Sequence, residues 1–227
     1  MKDRHGQAII DYHNGQESPL LLYNSYGDPE EMPVEVFFRD EHDFTYIEHL
    51  AISACRGKIL DLGAGAGAHA LFLQNLGFDV EALDNSAGCV SVLRDRGIRN
   101  VIHQDYRRVT KKYDTILLLM NGLGLAGTLD QLPDFIRKCL DLLNENGQMI
   151  FDSSDINYLY DSGTPRPDHY YGEIQYQYEY KGIKGEWFDW LYIDPKTLLE
   201  ISNKMNINCD ILSQGADDQY LACISKY

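Results

Sequence analysis

The sequence predicts an α/β protein built on one mostly parallel sheet with helices on both faces. Three observations predict it. Between Lys58 and Asp152, short apolar runs alternate with stretches of helical spacing, the pattern of strand–helix–strand crossovers. The most apolar run, Ile116–Met120, is near-continuous, as a central strand covered on both faces requires. Glycine-rich or acidic segments follow the strand ends, where such sheets bind ligands.

Taken in order, residues 1–35 hold Tyr12, Tyr23 and Tyr26 among Gly, Pro and Asn without sustained periodicity. They read as an irregular N-terminal arm, with room for a short helix, that packs over another part of the chain. Residues 36–227 form the main domain. Phe37–Cys55 reads as helix, with Phe38, Ile47, Leu50 and Ala51 as its apolar stripe and Gly57 as its stop. Lys58–Ser86 then reads as strand, glycine turn, helix, second strand and terminal acid. Ser86 can cap the next helix, and Asn100–His103 is a third strand. Tyr113–Met120 is the fourth strand. Thr128 and Gln131 fit a capping box, with Pro133 as the sign of a later start for the regular helix, ahead of the stripe Leu132, Phe135, Ile136, Cys139, Leu140 and Leu143. Gln148–Asp152 is the fifth strand.

Residues 158–193 depart from this alternation and read as an insertion. Positions 158–192 contain eleven aromatics, and Gly172–Tyr180 alternates strictly, with Ile174, Tyr176, Tyr178 and Tyr180 on one face. Lys181–Gly185 is a hairpin turn, so the insertion is a β-hairpin. Asp194-Pro195 starts a helix, cap followed by proline. Cys209–Leu212 and Tyr220–Ile224 are two last strands, joined by a polar turn at 215–218.

The chemistry is concentrated in Lys58–Ser86. Asp61 ends the first strand, Gly63, Gly65 and Gly67 follow at alternate positions, and Asp84 ends the second strand. A carboxylate there is placed to accept from ribose hydroxyls, so the stretch reads as a nucleoside-cofactor site. A dinucleotide turn has the spacing G-x-G-x-x-G and no use for a negative charge at Asp61; a cofactor bearing an amino group and a sulfonium has one. The segment resembles motif I of class I S-adenosylmethionine (SAM)-dependent methyltransferases, roughly h-h-D-x-G-x-G-x-G, with Asp61, Gly63, Gly65 and Gly67 at its consensus positions. The resemblance covers about residues 58–154 by motif and 195–227 by topology. It implies a seven-stranded Rossmann-like methyltransferase sheet whose last strand is antiparallel, and it implies that the insertion caps the substrate.

That resemblance assigns Asp61 to the cofactor's amino group, beside Gly63, Ala64, Gly65 and Gly67, and Asp84 to the ribose. Asn85, Asp105 and Tyr106 are candidates for the adenosine end and Asn121 for the methionine side, each with a turn or loop role as the alternative. Methyl transfer from a sulfonium needs alignment more than acid–base help, so no catalytic residue is legible. Asp152, Asp155, His169 and Tyr170 are the candidates, on position alone. No spacing suggests a metal site.

The net charge of −15 disfavours nucleic acid and favours a small-molecule substrate. Five scattered cysteines without a C-x-x-C pair, no membrane-length apolar run and an N-terminus without a signal-peptide core predict a cytoplasmic protein with reduced thiols. The expected activity is methylation of an O- or N-nucleophile on a small molecule. A non-catalytic SAM-binding module and, behind it, a NAD-binding oxidoreductase are the alternatives. The oligomeric state is not legible.

Overall fold

A computed structural model describes residues 3–160, 164–215 and 218–225. The chain opens with helix α1 (Arg4–His13), capped by Asp3, whose carboxylate accepts from the Gly6 N–H at 2.8 Å. Strands β1 (Leu20–Asn24) and β2 (Glu30–Glu31) follow. Residues 1–35 are thus more regular than an irregular arm: Ala8 and Ile9 are buried on α1, and Leu20 and Leu22 alternate inward on β1. The long helix expected over Phe37–Cys55 is instead two 3₁₀ turns, Val34–Phe37 and Glu41–Asp43, and α2 (Tyr46–Ala54). A capping box between Thr45 and Glu48 fixes where α2 begins, which breaks the continuous reading.

Next come β3 (Lys58–Leu62), α3 (Ala68–Asn75), β4 (Asp79–Asp84), α4 (Ala87–Asp95) and β5 (Asn100–His103). Then follow β6 (Tyr113–Leu118), α5 (Leu132–Asp141) and β7 (Leu143–Ser154). The capping box expected at Thr128 and Gln131 does not form; Thr128 accepts the Gln131 and Leu132 amides through its backbone carbonyl, and Gln131 precedes α5 without a side-chain cap. The insertion supplies β8 (Glu173–Tyr180) and β9 (Ile183–Leu191), joined at Lys181 and Gly182, both with positive φ as a two-residue hairpin turn requires. Residues 161–163 of that insertion lie outside the described residues. Helix α6 (Pro195–Met205) starts at the Asp194 cap, and β10 (Asn208–Gln214) and β11 (Gln219–Ser225) end the description. Of the turn read at 215–218, residues 216 and 217 are also outside it.

The main sheet has seven strands in the order β10-β11-β7-β6-β3-β4-β5. β3–β4, β4–β5 and β6–β7 pair in parallel, and β11 runs antiparallel to both β7 and β10. This is the seven-stranded sheet with an antiparallel last strand that the family resemblance implied. A second sheet, order β2-β1-β8-β9, was not foreseen: the hairpin pairs antiparallel with β1, Leu22 opposite Tyr178.

The chain divides into two compact units. One comprises Met1–Phe44, Lys58–Val109 and Gln175–Phe188; the other comprises Thr45–Gly57, Thr110–Ile174 and Asp189–Tyr227. In the first, Ala8, Ile9, Leu20, Val34, Ala66, Cys89, Val92 and Tyr180 form one core cluster. Buried Asp11 is satisfied there by the Tyr180 hydroxyl at 3.0 Å and Lys181 Nζ at 2.6 Å. In the second, β6, β7 and β11 bury Ile116, Leu117, Leu118, Ile150, Phe151 and Leu221.

Candidate active site

The first unit carries the glycine turn. Gly63, Gly65 and Gly67 all take positive φ, 82°, 56° and 86°, which accounts for glycine at three alternate positions. Four of the turn's amides are spent inside the protein. Gly63 and Ala64 donate to the Leu83 carbonyl at 2.9 and 3.0 Å, Gly65 to Asp84 Oδ2 at 2.9 Å, and Gly67 to the Ala64 carbonyl at 2.8 Å. A phosphate cradle presents free N–H groups to its ligand; this turn directs those four inward. Its geometry disfavours a pyrophosphate.

Asp61 is 4% exposed, and its Oδ2 is shielded from solvent with no hydrogen-bond partner. Burial raises its pKa to about 6; the charge of His69 and the Ala70 N–H oppose the shift, and the neighbouring charge of Asp84 adds to it. A buried carboxylate with one oxygen unmet suits a cationic ligand, and the primary ammonium of SAM is a group of that kind. Asp84, 8% exposed, accepts from Gly65 N–H and, on Oδ1, from Ser86 N–H at 2.8 Å. Burial raises its pKa as well, against these two amides and His5. Each Asp84 oxygen keeps a further lone pair for a ligand hydroxyl.

The remaining adenosine-end candidates are more exposed. Asn85 is exposed, and its backbone carbonyl lies 3.2 Å from His103 Nε2. Asp105 is exposed, caps the turn at Tyr106–Arg108 by accepting from Arg107 N–H at 2.8 Å, and pairs with the Arg107 guanidinium at 3.4 Å. Tyr106 is half-buried with that guanidinium 4.7 Å from its ring centre.

Sequence reasoning missed the N-terminal contribution to this unit. His5 lies edge-on to Phe37 at 4.8 Å and stacked on Tyr178 at 5.3 Å, with Nδ1 3.7 Å from Cys89 Sγ and Nε2 unpartnered. Burial lowers its pKa while Asp84 and Asp3 pull it upward. A β-carbon on Gly65 would touch Phe37, so this ring lies against the glycine turn. An isolated histidine four residues from a terminus carries no signal of that placement.

The second unit holds the other candidates. Asn121 follows β6 in the left-handed conformation, φ 56°, and its Oδ1 accepts from the Ser154 hydroxyl at 2.9 Å. Asp152 is fully buried; Gln219 Nε2 donates to its Oδ2 at 2.8 Å and Gly122 N–H to its Oδ1 at 3.4 Å. Asp155 accepts from Asn157 N–H at 3.0 Å and from the Tyr171 hydroxyl at 2.7 Å. Tyr170 donates to Asp194 Oδ2 at 2.7 Å and accepts from Asp194 N–H at 3.0 Å. Burial pushes the Tyr170 hydroxyl well above its ordinary value, which keeps it protonated. His169 is exposed, with Nε2 3.4 Å from the Glu173 carbonyl. Asp152, Asp155 and Tyr170 thus hold the insertion and strand ends in place. Among the described residues, no cluster of three or more His, Cys, Asp or Glu could hold a metal ion, and no helix is long and apolar enough to cross a membrane.

Comparison with known proteins places this geometry in a family. Residues 32–120 match the family model described as tellurite resistance protein TehB. A SAM-dependent methyltransferase from Bacteroides fragilis, crystallised with S-adenosyl-L-homocysteine (SAH), is 38% identical; the alignment covers 100% of this chain and 96% of that one, with a TM-score of 0.92. A Pyrococcus horikoshii OT3 protein shares the fold at 18% identity and TM-score 0.62, over 80% of this chain and 88% of that one. A glycine/sarcosine N-methyltransferase from Aphanothece halophytica is 24% identical over 123 residues, 50% of this chain and 46% of that enzyme, so the match spans about half of that curated relative's length. The chain belongs to the class I SAM-dependent methyltransferases. Its cofactor is SAM.

Proposed function

We propose that the protein methylates a small-molecule acceptor, with a nitrogen nucleophile as the first acceptor class and an oxygen nucleophile as the second. The observation that carries the reading is Asp61 Oδ2, a shielded carboxylate oxygen without a partner at the end of β3. In this reading Asp61 receives the cofactor's ammonium and Asp84 its ribose hydroxyls, with Asn85, Asp105 and Tyr106 at the adenosine end. Bound SAM supplies a methyl group already activated by a sulfonium. The chain then has to hold, orient and desolvate the acceptor, which fits the internal engagement of Asp152, Asp155 and Tyr170. The nitrogen preference rests on the name of the Aphanothece halophytica relative and on the acidic chain, with its net charge of −15. Selection of the acceptor is assigned to the aromatic insertion at 158–193.

Calorimetric titration with SAM, SAH and NAD, followed by a labelled-methyl screen of amines, phenols and carboxylates, tests this. Binding of SAM and SAH without NAD, and label on an amine, is the expected result. Preference for NAD would overturn the cofactor assignment. Cofactor binding with no label on any acceptor in a broad screen would favour a non-catalytic SAM-binding role.

A further inference from the structure

The N-terminal helix packs on the segment that follows Asp84, and one carboxylate bonds both. Asp3 Oδ1 accepts from Gly6 N–H and caps α1, while its Oδ2 accepts from the Ser86 hydroxyl at 2.5 Å and from Gly88 N–H at 3.4 Å. Ser86 is itself the cap of α4, its Oγ accepting from Cys89 N–H at 3.0 Å, and its own N–H donates to Asp84 Oδ1 at 2.8 Å. One carboxylate therefore joins the first turns of two helices and reaches Asp84 through a single residue. The joint has no slack. A β-carbon on Gly88 would lie 2.3 Å from the Gly6 carbonyl oxygen, and one on Gly6 would lie 2.3 Å from Ser86 Oγ, so the two helices meet backbone to backbone.

Asp84 could not otherwise hold one orientation cheaply. It is buried, and both Asp61 and Asp3 are negative neighbours. Its fixed donors are the Gly65 amide on one oxygen and the Ser86 amide on the other. The Gly65 donor belongs to the glycine turn; the Ser86 donor is held by Asp3. The geometry points to Asp3 as a positioning residue for cofactor recognition: through Ser86 it fixes the Asp84 carboxylate that receives the ribose diol. The inference rests on the proposed contact between Asp84 and the ribose.

The test is calorimetric affinity for SAH and for its 2′,3′-dideoxy analogue, in wild type and in Asp3→Ser. Serine is a good helix cap but is one atom shorter, so it keeps the α1 cap and loses the reach to Ser86. Asp3→Ser should leave the thermal midpoint near wild type and weaken SAH by about fivefold to tenfold, the scale of one charge-assisted hydrogen bond partly lost. It should not weaken the dideoxy analogue. Unchanged SAH affinity, or equal losses for both ligands, would overturn the proposal, because a general structural role does not distinguish a missing diol. Asp3→Asn, close to isosteric, provides the same comparison if the serine variant folds poorly. Asp84→Asn is run alongside. If it leaves SAH affinity intact, the ribose contact itself is misplaced and the proposal falls with it; if it weakens SAH while both Asp3 variants do not, only the role of Asp3 falls.

Discussion

Asp61 shows how a residue proposed for recognition can work against the fold that carries it. Its folded pKa, about 6, lies above the ordinary aspartate value, so the native state binds its proton more tightly than the unfolded chain does. The sign follows: its contribution to stability is complete below the unfolded pKa and is lost as pH rises through about 6. A shift of that size corresponds to about 3 kcal/mol by linkage, an upper figure because buried groups relax. Asp61→Asn should therefore stabilise the ligand-free protein by about 1–3 kcal/mol at pH 8, with the advantage closing towards pH 4, as measured by urea denaturation at both pH values. Asp61 and Asp84 were legible in the sequence because each follows a short apolar strand at a fixed distance from alternating glycines. Asp105 obeys the same positional rule, and its carboxylate also accepts from the Arg107 amide and pairs with its guanidinium. Position at a strand end was legible; the local pairing with an adjacent arginine leaves no trace in strand periodicity.

Among the elements, α1 against α4 is the contact that the sequence hid most completely. The helix is ten residues long and buries little beyond Gly6, Ala8, Ile9 and Asp11, too short a stripe to stand out from an irregular arm. Its docking depends on two glycines far apart in sequence, Gly6 and Gly88, each lying in a helix where glycine is locally unfavourable. Gly88→Ala separates the two effects. Alanine favours an isolated helix by about 1 kcal/mol, whereas overpacking a close contact costs about 1–3 kcal/mol or more. With a backbone oxygen 2.3 Å from the new β-carbon, and backbone unable to rotate away as a side chain would, the clash dominates. The variant should be destabilised by about 1–2 kcal/mol in chemical denaturation; a stabilised variant would mean that α1 does not dock at this distance. β1 was missed for a related reason. Leu20 and Leu22 alternate correctly, but their pairing partner is Tyr176–Tyr180, about 150 residues later, and pairing at that separation leaves no local trace.

For the molecule as a whole, a mostly parallel main sheet was legible because strands and helices alternate, and its antiparallel last strand was what the family resemblance implied; the strand order was not read. The second sheet was not legible, because it joins two segments that each read as peripheral: the start of the chain and the insertion. Both remain outside what the family motif describes, so the motif specifies the cofactor and leaves the acceptor open. The account stands or falls on Asp61 as the carboxylate that meets the cofactor's ammonium. The most direct test is the dissociation constant of SAH, measured by calorimetry from pH 8 to pH 5 in wild type and Asp61→Asn. An ammonium pairs with the ionised carboxylate, so wild-type affinity should fall as pH drops through about 6. Asp61 alone gives a limiting slope below that point of about tenfold per pH unit. Asp61→Asn should bind weakly at pH 8 and lose most of this dependence, keeping only what Asp84 contributes through its own raised pKa. Wild-type affinity that is flat across this range, or an Asp61→Asn variant that binds SAH as tightly as wild type at pH 8, would contradict the account.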